Sequence, residues 1–168
     1  MLKKFLTIFL SAFILIGLTG CFSDSEPSDK TLDNEGKEKT SFNLNETAVY
    51  EDVHYTITNV EYSDGNEWDK PAEGKNYVIV TLLIENKSDS KISYNAFDWK
   101  MLNSQGQEDD ETIAIVDSDT SLSSGDLAAG GSKTGTLVFE ELKDESSLKL
   151  LYYSNMFDEN AAFEIIIK

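Results

Sequence analysis

The sequence predicts an all-β fold, an immunoglobulin-like antiparallel β-sandwich of about seven to nine strands. Two observations predict it. Short apolar stretches with period-two alternation recur from Phe42 to the C-terminus, which is the pattern of half-buried strands. Polar segments rich in Gly, Asn, Ser and Asp lie between these stretches, as turns between strands do. No segment combines a helical period with helix-capping residues, so we expect few helices.

The predicted strands are stretches in which apolar residues alternate or run continuously. The 77–84 stretch is apolar on both faces except at Thr81, which predicts a central strand covered on both sides. In the 94–102 stretch, alternation places Phe97, Trp99 and Met101 on one face, which we expect to be buried. The predicted strands are 42–44, 48–50, 53–62, 77–84, 94–102, 112–116, 133–139, 148–153 and 161–167.

Residues 1–20 have the three parts of a signal peptide. Lys3 and Lys4 supply the positive charge, Phe5–Leu18 is an uncharged and mostly apolar run of 14 residues, and small residues follow. A helix needs roughly 20 apolar residues to cross the hydrocarbon core, so this run is too short for a membrane span. We therefore predict that residues 1–20 are a cleaved signal peptide.

The segment Leu18-Thr19-Gly20-Cys21 resembles the bacterial lipobox, in which a diacylglyceryl group joins the cysteine sulfur before cleavage. Cys21 is the only cysteine, so no disulfide can form within the chain. We expect Cys21 to be the lipidated N-terminus, anchored by fatty acids such as palmitate at the extracytoplasmic face of the cell membrane. Residues 21–41 are polar and predict a disordered tether, and residues 42–168 are predicted to be one sandwich domain.

The charge of the chain argues against one class of partner. The basic residues are all lysine, with 14 Lys+Arg against 31 Asp+Glu and a formal net charge of −17. Nucleic-acid binding depends on Lys and Arg that neutralise phosphates, so we expect no nucleic-acid partner. The expected contacts are the membrane, through the lipid on Cys21, and an envelope protein or glycan of unknown identity.

Few residues are candidates for catalysis or metal binding. His54 is the only histidine and no nucleophile-elbow motif is present, so we expect the protein not to be an enzyme. One histidine and a lipidated cysteine are too few for zinc. The run Glu108-Asp109-Asp110-Glu111 is the candidate metal site, because Ca²⁺ takes about six to eight oxygen ligands, although EF-hand spacing is absent. Weakly bound Ca²⁺ is the one cofactor for which residues are present.

Trp68 is the candidate for ligand or partner contact. It lies in the polar segment 65–69 between two predicted strands, where two alternatives are open. An exposed tryptophan would serve as a binding anchor. Alternatively, Trp68 folds back over the end of the sandwich. Asp64 and Asp69 flank it and would belong to the same contact surface.

Acidic residues are expected to concentrate at one end of the sandwich. If each strand crosses the sandwich once, the connections 63–75, 103–111 and 140–146 lie together at that end. Concentrated like charges attract cations or a basic partner. The leading hypothesis is a membrane-anchored extracytoplasmic lipoprotein that acts as a non-enzymatic binding or adaptor module. The alternative is a calcium- or cation-responsive surface sensor that uses these acidic loops.

Three parts of residues 42–168 carry a family resemblance, each a strand with its neighbouring turn. They are Gly74–Val80 with Ile84–Ser88, Phe97-Asp98 with Asn103–Gly106, and Gly125–Gly130 with Gly135–Phe139. Together they resemble the extracytoplasmic lipoprotein family called domain of unknown function 4352. The resemblance implies a telokin-like, immunoglobulin-type sandwich and an extracytoplasmic location, and it implies no activity. Ala129 departs from the proline expected before Gly130.

Overall fold

The structure, a computed structural model, describes residues 38–155 and 157–168. The predicted signal peptide, Cys21 and the tether up to residue 37 lie outside the described residues. Within the described residues there are eleven β-strands and two short 3-10 helices, so the all-β prediction is confirmed. No helix in this part of the chain is long and apolar enough to span a membrane.

The strands fall into two main sheets and a small pair. The five-stranded sheet has the order β1-β11-β10-β6-β7, the four-stranded sheet has the order β2-β3-β4-β9, and β5 pairs with β8. All pairings are antiparallel except that of β1 with β11. The strands are β1 Ser41–Asn43, β2 Thr47–Tyr50, β3 Val53–Ser63, β4 Lys75–Asn86, β5 Ile92–Asn95, β6 Trp99–Asn103, β7 Glu108–Asp110, β8 Ser124–Leu127, β9 Ser132–Leu142, β10 Leu148–Tyr152 and β11 Phe163–Ile166.

The core lies between the two main sheets and is built around Trp99, of which 1% is exposed. Its indole packs against the rings of Tyr55, Tyr152 and Phe163, with centroid distances of 5.6, 4.8 and 5.9 Å. Such tilted and edge-on aromatic contacts stabilise a core beyond their buried area. The prediction that Trp99 and Met101 are buried is confirmed.

β4 is the central strand of its sheet, between β3 and β9, as the sequence predicts. Its inward side chains, including Val80 and Leu82, are fully buried. Its outer face is covered near the start of the strand, where Tyr77 packs with Ala114 and Val138. The predicted cover on both sides therefore holds for only the first part of the strand.

Phe97 is not buried, and the prediction that it shares a face with Trp99 is wrong. The stretch 94–102 is divided by a 3-10 helix over Ala96–Asp98, because the Asn95 side chain accepts a hydrogen bond from the Phe97 backbone N–H at 3.2 Å. Asparagine side chains compete in this way with the hydrogen bonds of a strand. The helix turns Phe97 outward, whereas Trp99 begins β6 and points into the core.

The predicted strand 112–116 is also wrong. This segment is irregular and leads into a 3-10 helix over Ile115–Asp117. It runs along the free edge of β9, where the Thr112 backbone N–H donates to the carbonyl of Val138 at 2.8 Å. Its Ala114 packs on the outer face of the four-stranded sheet, against Tyr77 and Val138. Conversely, β7 and β8 were not predicted, because their polar sequences carry no apolar alternation.

Hydrogen bonds bring the three acid-rich connections together at one end, as strand alternation predicts. The Lys143 backbone N–H donates to the carbonyl of Gly74, and the Ser104 backbone N–H donates to Glu145. At the opposite end, the Lys87 backbone N–H donates to the carbonyl of Asp52. We call the first the acidic end of the sandwich.

Candidate functional site

Asp69 joins two connections at the acidic end. Its Oδ2 accepts hydrogen bonds from the backbone N–H groups of Ile115, at 2.5 Å, and Val116, at 3.1 Å. Its Oδ1 accepts a hydrogen bond from the Tyr77 hydroxyl at 2.8 Å. The hydrogen bond from Tyr77, aided by the two backbone donors, holds the pKa of Asp69 below its usual range. Asp69 therefore fixes the 63–75 connection against the 112–117 segment.

Trp68 lies beside this joint and is 83% exposed. Its backbone N–H donates to Asn66 Oδ1 at 2.8 Å, in a turn that directs the chain back towards Asp69. Of the two alternatives left open by the sequence, the exposed position is confirmed, and Trp68 does not fold back over the sandwich. Asp64 lies in the same connection, where its Oδ1 pairs with Lys143 Nζ at 2.5 Å on the surface.

Four large apolar side chains that are exposed to solvent lie on neighbouring segments, and together we call them the apolar strip. It consists of Trp68 (83% exposed), Ile115 (65%), Ile113 (98%) and Phe97 (67%). Asp69 connects the Trp68 turn to Ile115, and Ile113 and Phe97 line one cavity. Exposed apolar surfaces of this kind mark interaction sites in soluble domains.

The sequence offered no signal for most of this strip. Ile113-Ala114-Ile115 reads as alternation with the isoleucines inward, but the small Ala114 is the buried member. Phe97 was assigned to the core because the capping role of Asn95 was not recognised. An asparagine followed within three residues by aspartate was the one local indication of a break at this position.

The run Glu108–Glu111 does not converge on a common point. Glu108 Oε2 accepts a hydrogen bond from the Tyr153 hydroxyl at 2.8 Å, Asp110 pairs with Lys100 at 3.1 Å, and Asp109 accepts one from Asn103. β7 alternates its side chains between two faces, so Asp109 points away from its neighbours. Among the described residues, no group of three or more His, Cys, Asp or Glu side chains is arranged to hold a metal ion.

A second group of acids closes the core at the acidic end. This acidic plug comprises the acids Asp109, Glu141 and Glu145, together with the amide side chain of Asn103. The Oε1 atoms of Glu141 and Glu145 are both buried without a hydrogen-bond partner. Burial, reinforced by the charge of Asp109, raises the pKa of Glu141 to about 7. In contrast, hydrogen bonds from Ser104 to Glu145 Oε2 hold the pKa of Glu145 below its usual range.

The fold is shared with solved structures at low sequence identity, which shows the fold alone. The yjhA protein from Bacillus subtilis has a TM-score of 0.58 and 18% identity, over 76% of this chain and 99% of that chain. A Bacillus subtilis protein described as "a putative lipoprotein (ycdA)" has a TM-score of 0.58 and 17% identity, over 71% of this chain and 38% of that chain. A conserved hypothetical protein from Bacillus anthracis has a TM-score of 0.55 and 14% identity, over 76% and 95%.

Comparison with curated proteins finds no match for this chain. A family model matches residues 42–162, from β1 to the residue before β11, and its description is "Domain of unknown function (DUF4352)". The matched span includes every residue of the apolar strip and of the acidic plug. The chain therefore belongs to the DUF4352 family, as the resemblance of its strands and turns implies.

Proposed function

We propose that the protein is a lipid-anchored extracytoplasmic lipoprotein whose sandwich domain is a non-enzymatic binding or adaptor module. The anchor rests on the signal peptide pattern of residues 1–20 and on the lipobox-like sequence that ends at Cys21. The fold shared with a protein described as "a putative lipoprotein (ycdA)" supports this location.

The apolar strip is the observation that carries the binding role. Asp69 holds the two connections that carry Trp68, Ile113 and Ile115. Asn95 caps the 3-10 helix that carries Phe97, so the surface is fixed before a partner arrives. Fixing a contact surface in advance lowers the entropic cost of association. Tryptophan at one end of the strip is the residue type most often found to dominate binding energy.

The chemistry of the strip favours binding over catalysis and a protein over a glycan. Trp68, Phe97, Ile113 and Ile115 carry no acid, base or nucleophile. Aromatic rings can stack on sugars, but the two isoleucines at the centre of the strip offer no ring for stacking. An envelope protein with an apolar contact surface is therefore the partner that we propose.

Membrane attachment is tested by metabolic labelling with a fatty-acid analogue in cells that produce the full chain. We expect label on the wild-type protein and none on Cys21→Ser, because the cysteine sulfur is the acylation point. Label on Cys21→Ser would contradict the lipoprotein assignment.

Partner binding is tested by photo-crosslinking in the same cells. A photoreactive phenylalanine analogue replaces Ile113 in the strip or, as a matched control, Ile166 on the outer face of β11. We expect one discrete protein adduct from position 113 that is absent from position 166. The same adducts from both positions, or none from position 113, would contradict a binding role for the strip.

A further inference from the structure

Phe97 lines two cavities of different chemistry. One cavity, of about 410 Å³, is lined by the apolar residues Phe97, Ile113, Ala96, Ala114 and Val138, and also by polar residues that include Glu111 and Asp117. The other, of about 290 Å³, is dominated by acids. Its polar lining comprises Glu108, Asp110, Asp158, Glu159, Lys100 and Tyr153.

The acidic cavity keeps a negative charge after its internal pairing. Among the described residues that line it, Lys100 alone is basic, and it pairs with Asp110 at 3.1 Å. Glu108 accepts a hydrogen bond from the Tyr153 hydroxyl, which is neutral and leaves the carboxylate charge in place. Asp158 and Glu159 are both exposed at its edge. A cavity with this balance attracts a cationic group, and the adjoining aromatic ring favours one further.

We infer that these two cavities together bind a polypeptide segment in which a basic residue neighbours an apolar one. The basic side chain enters the acidic cavity, and the apolar side chain enters the cavity between Phe97 and Ile113. This inference rests on the proposed function, because it gives the partner at the apolar strip a chemistry. The acidic cavity then recognises a basic side chain at a defined place, in addition to the general attraction of cations by the acidic domain.

The extent of the strip favours a polypeptide over a small organic amine. Beyond the cavities, Ile115 and Trp68 are also exposed, and Asp69 joins the turn that carries Trp68 to the Ile115 backbone. A small amine would fill the acidic cavity and leave this surface uncovered. An extended chain that lies edge-on at Phe97 places neighbouring side chains on opposite sides of its backbone, one towards the acidic cavity and the next towards the cavity with Ile113.

The test uses the purified full chain in lipid nanodiscs and fluorescent peptides of about eight residues, an extended length of roughly 26 Å. The probe alternates lysine and leucine, and the two matched peptides alternate lysine with serine and glutamate with leucine. We expect the Lys-Leu peptide to bind at least ten-fold more tightly than either matched peptide. We also expect its affinity to fall as salt rises, because the contact is in part electrostatic.

Two variants and one control connect the binding to Phe97 and Ile113. Phe97→Ala and Ile113→Ser should each weaken Lys-Leu binding at least ten-fold, whereas Ile166→Ser should leave it unchanged. All three side chains are exposed, so the fold should persist in each variant. The inference would be overturned if the Lys-Ser peptide bound as tightly as the Lys-Leu peptide, or if Phe97→Ala left Lys-Leu binding unchanged. It would also be overturned if spermine, a small polyamine, displaced the Lys-Leu peptide and bound with the same affinity as that peptide.

The outcome separates the inference from the proposed function. If the Lys-Leu peptide fails to bind but residue 113 still crosslinks one partner in cells, the strip has an occupant of other chemistry and only the inference fails. If both experiments fail, the binding role of the strip fails with it.

Discussion

The core around Trp99 and the apolar strip around Phe97 contain the same kinds of residue and have opposite exposure. Trp99 is 1% exposed and contacts three aromatic rings, whereas Phe97, two residues earlier, is 67% exposed. Trp68 is likewise exposed, in a turn held by Asn66 and beside the Asp69 joint. Side-chain type therefore does not decide which aromatic residues build this domain.

The difference in exposure is caused by short polar side chains whose hydrogen bonds interrupt or displace the strands. Asn95 caps the 3-10 helix that turns Phe97 outward, and Asp69 fixes the segment that exposes Ile113 and Ile115. Asn95 acts through a local hydrogen bond to the backbone two residues on, whereas Asp69 acts from a connection distant in sequence. Apolar residues that are held at the surface in this way are available to a partner, and those in the sheets stabilise the fold.

The largest expected effect is on the core. Trp99→Ala should lower the free energy of unfolding by about 3–5 kcal/mol, the usual cost of truncating a buried large aromatic residue. Phe97→Ala should lower it by less than about 1 kcal/mol, because its ring is mostly in water. Urea denaturation of both variants measures the two values. Similar losses would mean that the division between core and strip is wrong.

A second effect concerns the acidic plug at the edge of the core. Because the pKa of Glu141 is about 7 in the folded protein against 4.5 ordinarily, folding favours its protonated form. The stability from this group is complete below pH 4.5 and is lost as pH rises through 7. At about 1.4 kcal/mol for each pKa unit, the full loss is about 3–4 kcal/mol.

Glu141→Gln should remove this loss, since the amide stays neutral at every pH. We expect the variant to gain stability over wild type at pH 8 and little at pH 5, measured by urea denaturation. Glu140→Gln, on the outer face of β9, is the matched control and should change with pH as the wild type does. Parallel pH profiles for wild type and Glu141→Gln would contradict the assignment of a buried proton to Glu141.

A third effect is confined to the hydrogen bonds by which Asp69 holds the segment that carries Ile113 and Ile115. Asp69→Asn removes the charge that accepts hydrogen bonds from Ile115 and Val116. Hydrogen exchange of these two amides should speed up by about tenfold or more, because the segment opens locally. The amide of Leu137 in β9 should exchange as before, which shows that the sheet remains intact. Unchanged exchange at Ile115 and Val116 would show that Asp69 does not hold the segment.

The smallest expected effect on stability is that of Trp68. Trp68→Ala should change the free energy of unfolding by less than about 1 kcal/mol, since the ring has little contact to lose. Its effect should be on partner crosslinking from residue 113, which we expect to fall. A large loss of stability would place Trp68 in the fold and not in the binding surface.

Apolar alternation was sufficient to predict the sandwich, the burial of Trp99 and the position of β4 inside its sheet. It failed where polar groups interrupt alternation, at the 3-10 helix after Asn95 and in the segment 112–117. It also failed for β7, Glu108–Asp110, because an acidic strand held by pairing with β6 carries no apolar pattern.

The candidate site was predicted less well than the fold. Trp68 stood out as a tryptophan in a polar segment, and its neighbour Asp69 proved to be the residue that joins the strip. Phe97, Ile113 and Ile115 were missed because exposure here depends on contacts between segments distant in sequence. The buried oxygens of Glu141 and Glu145 were missed for the same reason, since acids near a strand end usually face water.

The central claim is that the apolar strip binds a partner without stabilising the fold. Its most direct test places the photoreactive phenylalanine analogue at residue 68 and adds Ile113→Ser to the same chain, with Ile166→Ser as the matched control. We predict that residue 68 crosslinks the partner that residue 113 crosslinks, and that Ile113→Ser abolishes this adduct while the midpoint of urea unfolding is unchanged. An adduct that persists in Ile113→Ser, or one lost only together with folding stability, would contradict the claim.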